Sequence, residues 1–214
     1  MEIENRNTEQ IILEAAEKIF LDKGYAATKT TEIAQEAGIN HAMLHYYFRT
    51  KENLFNKIFE NKVQYFLSSY SSAFSQKLPF REKVRIGIET HFDFIGTNPK
   101  IPMFIMREVV SNEEKRDFIL QRIIPQGLVV FNEWEQTIKE EVAKGNIQPV
   151  NSVDLILNIA SLNVFAYIAG QIYFGTNETG LKAFLEQRKK NNVEVILRSL
   201  FCPTPKSPQG DLSE

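Results

Sequence analysis

The residues from Gly38 to Lys51 bring together side chains suited to gripping an anionic polymer. Tyr46 and Tyr47 carry hydroxyls, and His41 and His45 carry ring N–H groups; both kinds donate hydrogen bonds to phosphate oxygens. Met43 offers a thioether and methyl that suit a thymine methyl group, and Ala42 is small enough to let a backbone approach base edges. Lys51 falls in the first turn of a following helix, where free backbone N–H groups already favour an anion. No acidic residue occurs from Ala37 to Lys51, although the chain as a whole has a formal net charge of -2. A uniformly basic nucleic-acid binder is thereby excluded, and any contact with phosphate must come from a local patch.

Such a patch needs elements that hold it rigid. Residues 32–37 read as a short helix with Ile33, Ala34 and Ala37 facing inward. Gly38 permits a turn conformation that other residues resist. Asn40 then caps a third helix reaching about Phe48, and Thr50 caps a fourth. Ile39, Leu44 and Phe48 have the spacing to anchor the third helix in a core, which leaves His41, Ala42, Met43, His45, Tyr46 and Tyr47 for the outer surface or its margins. A short helix, a glycine turn and a second helix make a helix-turn-helix, whose second helix enters the major groove of DNA. A Tyr-Tyr-Phe cluster alone is more often core than recognition surface; the glycine turn before it and the Thr-Lys-Glu helix start after it favour DNA binding.

These residues resemble the TetR family of one-component bacterial regulators. The match runs through Gly24-Tyr25, Thr28, Ile33-Ala34, Ala37-Gly38-Ile39, Leu44, Tyr46, Phe48, Lys51-Glu52 and Leu54-Phe55, and covers about the first quarter of the chain. The resemblance implies that His45, Tyr46, Tyr47 and Lys51 contact DNA. It also exposes departures. His45 stands where tyrosine is common and Tyr47 where histidine is frequent, so the donors are kept in exchanged order. Ala42 replaces a glycine or similarly small residue, and His41 replaces a frequent lysine. Lys29 stands where serine or threonine would cap the second helix, but it sets a charge near the DNA backbone. The resemblance further implies a ligand-sensing domain, with the last two helices of each subunit forming a four-helix dimer interface. Two subunits would read half-sites of a palindromic operator about one helical turn, roughly 34–36 Å, apart.

The remainder predicts an all-α chain. An N-terminal three-helix helix-turn-helix domain (1–54) precedes a larger helical ligand-binding and dimerisation domain (55–201), and 202–214 reads as a disordered tail. The first helix is expected to start at the cap Asn7, with Gln10 completing a capping box, and to stop at Gly24. The fourth carries Phe55, Phe59, Val63, Phe66 and Tyr70 at helical spacing, and the serine-rich span 68–78 loosens the chain. Later helices start near Pro79 and Pro102, and another runs over 116–144 with a break at Pro125. An apolar helix is capped at Asn151 or Ser152, and the last spans 181–201. The apolar stretch 153–174 is long enough for a membrane span, but Asp154, Asn158, Asn163 and Gln171 make a helix buried between other helices the better reading, with no membrane partner.

His91, Met103, Met106, Arg107, Trp134, Asn163 and Tyr167 are the candidate effector contacts. Aromatics and methionines with a few polar groups suit an apolar or amphipathic small molecule. The same residue types also fill cores, and His91 on an apolar stripe reads first as a core histidine. No catalytic constellation, metal site or cofactor loop is predicted; the chain has three histidines, two of them in the recognition helix, and one cysteine, Cys202. The single cysteine suits a reducing compartment, and the N-terminus lacks signal-peptide regions, so a cytoplasmic protein is expected. Two readings stand: a dimeric regulator, most simply a repressor released by its effector, and a helical sensor or interaction protein of the same fold that has lost operator binding. An enzyme has almost no support in these residues.

Overall fold

The computed structural model describes residues 2–74, 77–110 and 112–201. Among them all regular structure is helical: α1 Glu2–Lys23, α2 Thr30–Glu36, α3 His41–Tyr47, α4 Lys51–Phe74, α5 Phe80–Thr97, α6 Ile101–Glu108, α7 Glu113–Phe118, α8 Ile124–Ala143, α9 Ser152–Phe174 and α10 Glu178–Phe201. A single π-helical turn, Ile119–Ile123, joins α7 to α8. The tail from 202 and the centre of the serine-rich span lie outside the described residues.

The chain forms two compact units. The first comprises residues 1–69 and 98–129, and so takes in α6 and α7 as well as α1 to α3. The boundary expected at residue 54 falls inside α4. Its core gathers Ile12, Ala16 and Phe20 from α1, Ile33 and Ala34 from α2, Leu44 from α3, Leu54 and Phe55 from α4, and Phe104 from α6. The second unit, residues 70–97 and 130–214, packs α9 on α10 and α5. Val84, Ile88, Trp134, Ile138, Leu155, Ile159, Ile196 and Leu200 form its larger core cluster.

Several boundaries differ from the sequence expectation. α1 starts at Glu2, so Asn7 sits within the helix. No proline or glycine interrupts residues 2–7, and an asparagine in a helix costs only a few tenths of a kcal/mol, about 0.7 at most. α4 continues through Ser68 to Phe74, because serine is likewise a weak breaker. α7 begins at Glu113, where Asn112 Oδ1 accepts from Lys115 N at 3.0 Å. The expected break at Pro125 takes the form of the π turn immediately before it. Proline lacks the N–H that would bond residue 121, and a wider turn relieves the clash of its ring with that carbonyl. α10 starts at Glu178 instead of 181, capped by Asn177 Oδ1, which accepts from Gly180 N at 3.0 Å.

The larger correction concerns α9, which is not buried on all sides. Leu155, Ile159, Asn163, Ala166 and Gly170 face the core of the second unit. About half a turn round the helix, Val153, Leu157, Phe165 and Ile172 are exposed, Phe165 at 67% and Ile172 at 80%. Both faces are apolar, so composition alone does not say which is covered. Gly170 lies on the buried face because α10 comes close: a Cβ there would meet Leu181 Cδ1 at 2.8 Å.

Candidate nucleic-acid interface

The turn between α2 and α3 is built by its backbone. Gly38 has φ +67°, the left-handed region. Its N–H donates to Gln35 O at 3.1 Å, and that of Ile39 to Ala34 O at 3.0 Å, which closes the end of α2. Asn40 Oδ1 then accepts from Met43 N at 2.8 Å and opens α3. Leu44 and Phe48 are buried, and Ile39 packs against the same core. The remaining α3 side chains are thereby turned outward. His41, Ala42, Met43, His45 and Tyr46 are exposed, Tyr46 at 77%, while Tyr47 is half-buried against the core. The rings of Tyr46 and Tyr47 meet edge to face at 5.4 Å, which props the exposed ring upright.

The surroundings of this face suit a polyanion. Glu36 pairs with Lys18, and Glu32 with Lys23 at 3.0 Å, so lysines of α1 neutralise the carboxylates of α2. Lys29 is exposed at the entry to α2, where its backbone N–H donates to Glu32 Oε2 at 3.3 Å. The lysine side chain supplies no cap; Glu32 satisfies the Lys29 N–H but not the N–H that a serine or threonine cap would take. His41 Nε2 lies 2.9 Å from Thr30 Oγ1, linking the first residues of α2 and α3. Sequence reasoning did not single out Thr30; nothing in its spacing marks it. Thr50 caps α4 as expected, with Asn53 N donating to its Oγ1 at 3.0 Å.

Lys51 is placed differently from a free surface cation. It is half-buried, and its ammonium donates to Tyr25 O at 2.8 Å and Thr28 O at 2.9 Å. It also lies 4.3 Å from the centre of the Tyr25 ring. Two of its three hydrogens are thus committed to the loop after α1, which fixes the direction of the third. Burial lowers its pKa; Lys115 acts in the same direction and Glu108 opposes it.

The seven effector candidates are divided between the two units. His91, Asn163 and Tyr167 belong to the α5–α9 contact of the second unit. Asn163 is 0% exposed. Its amide nitrogen donates to Ile88 O at 3.0 Å and meets His91 Nδ1 at 3.1 Å, while Asn192 Nδ2 donates to its oxygen at 2.9 Å. Arg188 donates to Asn192 Oδ1 at 3.0 Å. Both amide hydrogens of Asn163 are therefore used inside the protein, and the asparagine ties α5, α9 and α10 together. Burial pulls the His91 pKa down to about 4 and keeps the ring neutral. Tyr167 donates to Phe92 O at 3.0 Å and lines an open groove of ≈ 360 Å³ between α5, α9 and α10. Trp134 is buried in the second unit's core, edge-on to Phe80. Met103, Met106 and Arg107 belong to α6 in the first unit; both methionines are exposed, and Arg107 Nε donates to Glu108.

Residues 12–58 match the family model described as bacterial regulatory proteins, tetR family. Those residues form a TetR-family domain. The chain's relatives extend the likeness beyond the first unit. The fatty acid metabolism regulator protein of Bacillus subtilis (strain 168) is 26% identical over 191 residues, spanning 89% of this chain and 90% of that protein. Among solved structures, a tetR-family regulatory protein from Rhodococcus RHA1 superposes with a TM-score of 0.70 at 20% identity, covering 92% of this chain and 98% of its own. The fatty acid degradation regulator FadR of Bacillus halodurans gives a TM-score of 0.67 at 18% identity, covering 87% and 94%. The TetR fold thus accounts for both units, and the chain is a DNA-binding transcriptional regulator whose helix-turn-helix is formed by α2 and α3.

Proposed function

We propose that this TetR-family chain is a cytoplasmic homodimeric repressor that leaves its operator when an amphipathic effector with an apolar chain binds. The observation that carries the reading is the outward face of α3. His41, Ala42, Met43, His45 and Tyr46 project from a helix held by Leu44 and Phe48, with no acidic residue between Ala37 and Lys51. Met43 and Ala42 are assigned to base edges. His45, Tyr46, Tyr47, Lys29 and Lys51 are assigned to phosphates, and His41 to holding Thr30 beside them.

The dimer surface is assigned to α9 and α10. Val153, Leu157, Phe165 and Ile172 are exposed along one side of α9, and Val195 of α10 is also exposed. A second copy covering that face would remove apolar surface from water and set two recognition helices at a fixed spacing.

The effector class rests on the exposed apolar residues of the first unit. Met103 and Met106 recur along α6 at helical spacing with Val110 in the turn after it, and Leu120, Ile124 and Leu128 along the π turn and α8. Methionine side chains adapt to a flexible hydrocarbon. The Bacillus regulators are named for fatty acid metabolism and fatty acid degradation, which fits an effector with a hydrocarbon chain. Release is a population shift: the effector stabilises the arrangement in which the two α3 helices no longer match the half-sites.

The test is selection of bound duplexes from a random pool, followed by gel shifts in the presence of a long-chain fatty acid or its coenzyme A thioester. Repression by release predicts a palindromic selected site and loss of the complex as the acyl compound is added. A complex that tightens with the acyl compound would make the protein an activator. Failure to select any site would leave a sensor without operator binding.

A further inference from the structure

Within the first unit, the loop after α1 is clamped from two sides. Tyr25 N donates to Glu108 Oε1 at 3.1 Å, and Tyr25 O accepts from Lys51 at 2.8 Å. Thr28, whose carbonyl takes the second bond from Lys51, is itself buried and donates to Gly24 O at 2.6 Å. Gly24 has no room for a side chain, since a Cβ would meet Glu108 Oε1 and Arg107 Nη2 at 3.0 Å.

Charge makes the clamp conditional. Glu108, the last residue of α6, is 8% exposed. Its second oxygen accepts from Lys115 Nζ at 2.7 Å, and Lys115 is buried too. The Lys115 ammonium sits 3.6 Å from the centre of the Tyr25 ring, the ring that Lys51 also approaches. Two ammonium groups therefore share one aromatic ring. Glu108 is the carboxylate bonded to Lys115 and the one whose charge acts on Lys51 against that of Lys115, whereas Glu52 and Glu114 act on the Tyr25 hydroxyl, each more strongly than Glu108 does. Buried like charges of this kind are tolerated only while a counter-charge is in place. Burial alone would raise the Glu108 pKa, but Lys115, the Tyr25 N–H and Arg107 outweigh it, and the carboxyl stays ionised.

We propose that Glu108 is a positioning residue for DNA binding: by holding Tyr25 and neutralising Lys115, it keeps the Lys51 ammonium docked on the loop and aimed at a DNA phosphate. The inference rests on Lys51 as a phosphate contact, and it places control of that contact at the end of α6, five residues after Met103 and two after Met106. Without the carboxylate, Lys115 repels Lys51 across the Tyr25 ring, and the phosphate contact loses its fixed geometry. Contacts to phosphate carry no sequence information, so the loss falls equally on all duplexes.

The experiment measures binding of the purified full chain to a selected duplex and to a mixed-sequence duplex across a salt series. Glu108→Gln keeps an acceptor for Tyr25 N but removes the charge. It is expected to weaken both complexes alike and to flatten the log–log salt slope by about 0.9, the loss of one phosphate contact. The same loss is expected of Lys51→Ala, and Glu108→Gln should add nothing in the Lys51→Ala background. Adding Lys115→Met to Glu108→Gln restores charge balance; it should recover most of the wild-type slope, and it keeps the test available if the single variant does not fold. Additive losses from Glu108→Gln and Lys51→Ala, an unchanged slope in folded Glu108→Gln, or no recovery with Lys115→Met would each overturn the inference while leaving DNA binding itself intact. A wild-type chain that binds neither duplex would overturn both.

Discussion

At the scale of single residues, chemistry was readable where it depends on local spacing. The caps Asn40 and Thr50, the left-handed Gly38 and the anchors Leu44 and Phe48 all stand in the structure as their neighbours along the chain imply. What spacing does not reveal is a partner far away in sequence. Glu108 and Tyr25 are separated by 83 positions, and neither carries a local signal of the other. Asn163 was conspicuous as an amide in an apolar helix, but its partners Ile88, His91 and Asn192 come from α5 and α10. Two predictions belong here. Substituting Met43 with alanine should change base preference at one position of each half-site, about 1–3 kcal/mol of discrimination, read from selected sequences. Burial holds the His91 pKa down at about 4 in the folded chain, against an ordinary 6.5. The unfolded chain therefore takes up a proton first as pH falls, and stability present above about 6.5 is lost progressively down to about 4. The loss is on the order of 3 kcal/mol. Denaturant unfolding at several pH values checks it, and His91→Gln should flatten that part of the profile relative to wild type.

Elements followed from sequence wherever glycine, proline or a capping residue marks an end. Pro125 announced an interruption, although the π turn that absorbs it could not be told from a simple kink. Two starts moved: α1 ran back to Glu2, where no proline or glycine resists a helix, and α10 took in Gly180 to start at Glu178 behind the cap Asn177. The α2–α3 turn is the element on which DNA reading depends. A Cβ at Gly38 would meet no atom within 4 Å, so substitution there tests backbone conformation alone. Gly38→Ala should destabilise the first unit by about 1 kcal/mol. Leu44→Ala, which empties a buried position under α3, should cost about 2–5 kcal/mol. Thermal unfolding compares the two, and a Leu44→Ala protein as stable as Gly38→Ala would mean that α3 is not anchored by its core face.

At the scale of the whole molecule, the all-helical architecture was plain from period and punctuation, and the TetR-like start was plain from its motif. The two faces of α9 were not separable in advance, because a helix that is apolar on both its buried and its exposed side gives no periodic contrast in sequence. Phe165→Glu with Ile172→Glu should yield a folded monomer in sedimentation velocity, with weaker operator binding through loss of the second half-site. A dimer that persists would move the interface away from that face. The central claim is that the α3 face and Lys51 read DNA, and its most direct test is the salt dependence of binding to a selected duplex. The wild-type chain is predicted to bind with log K falling linearly against log salt, and Lys51→Ala to show a slope shallower by about 0.9. Absence of salt-sensitive, sequence-selective binding by the folded wild-type chain would contradict the account.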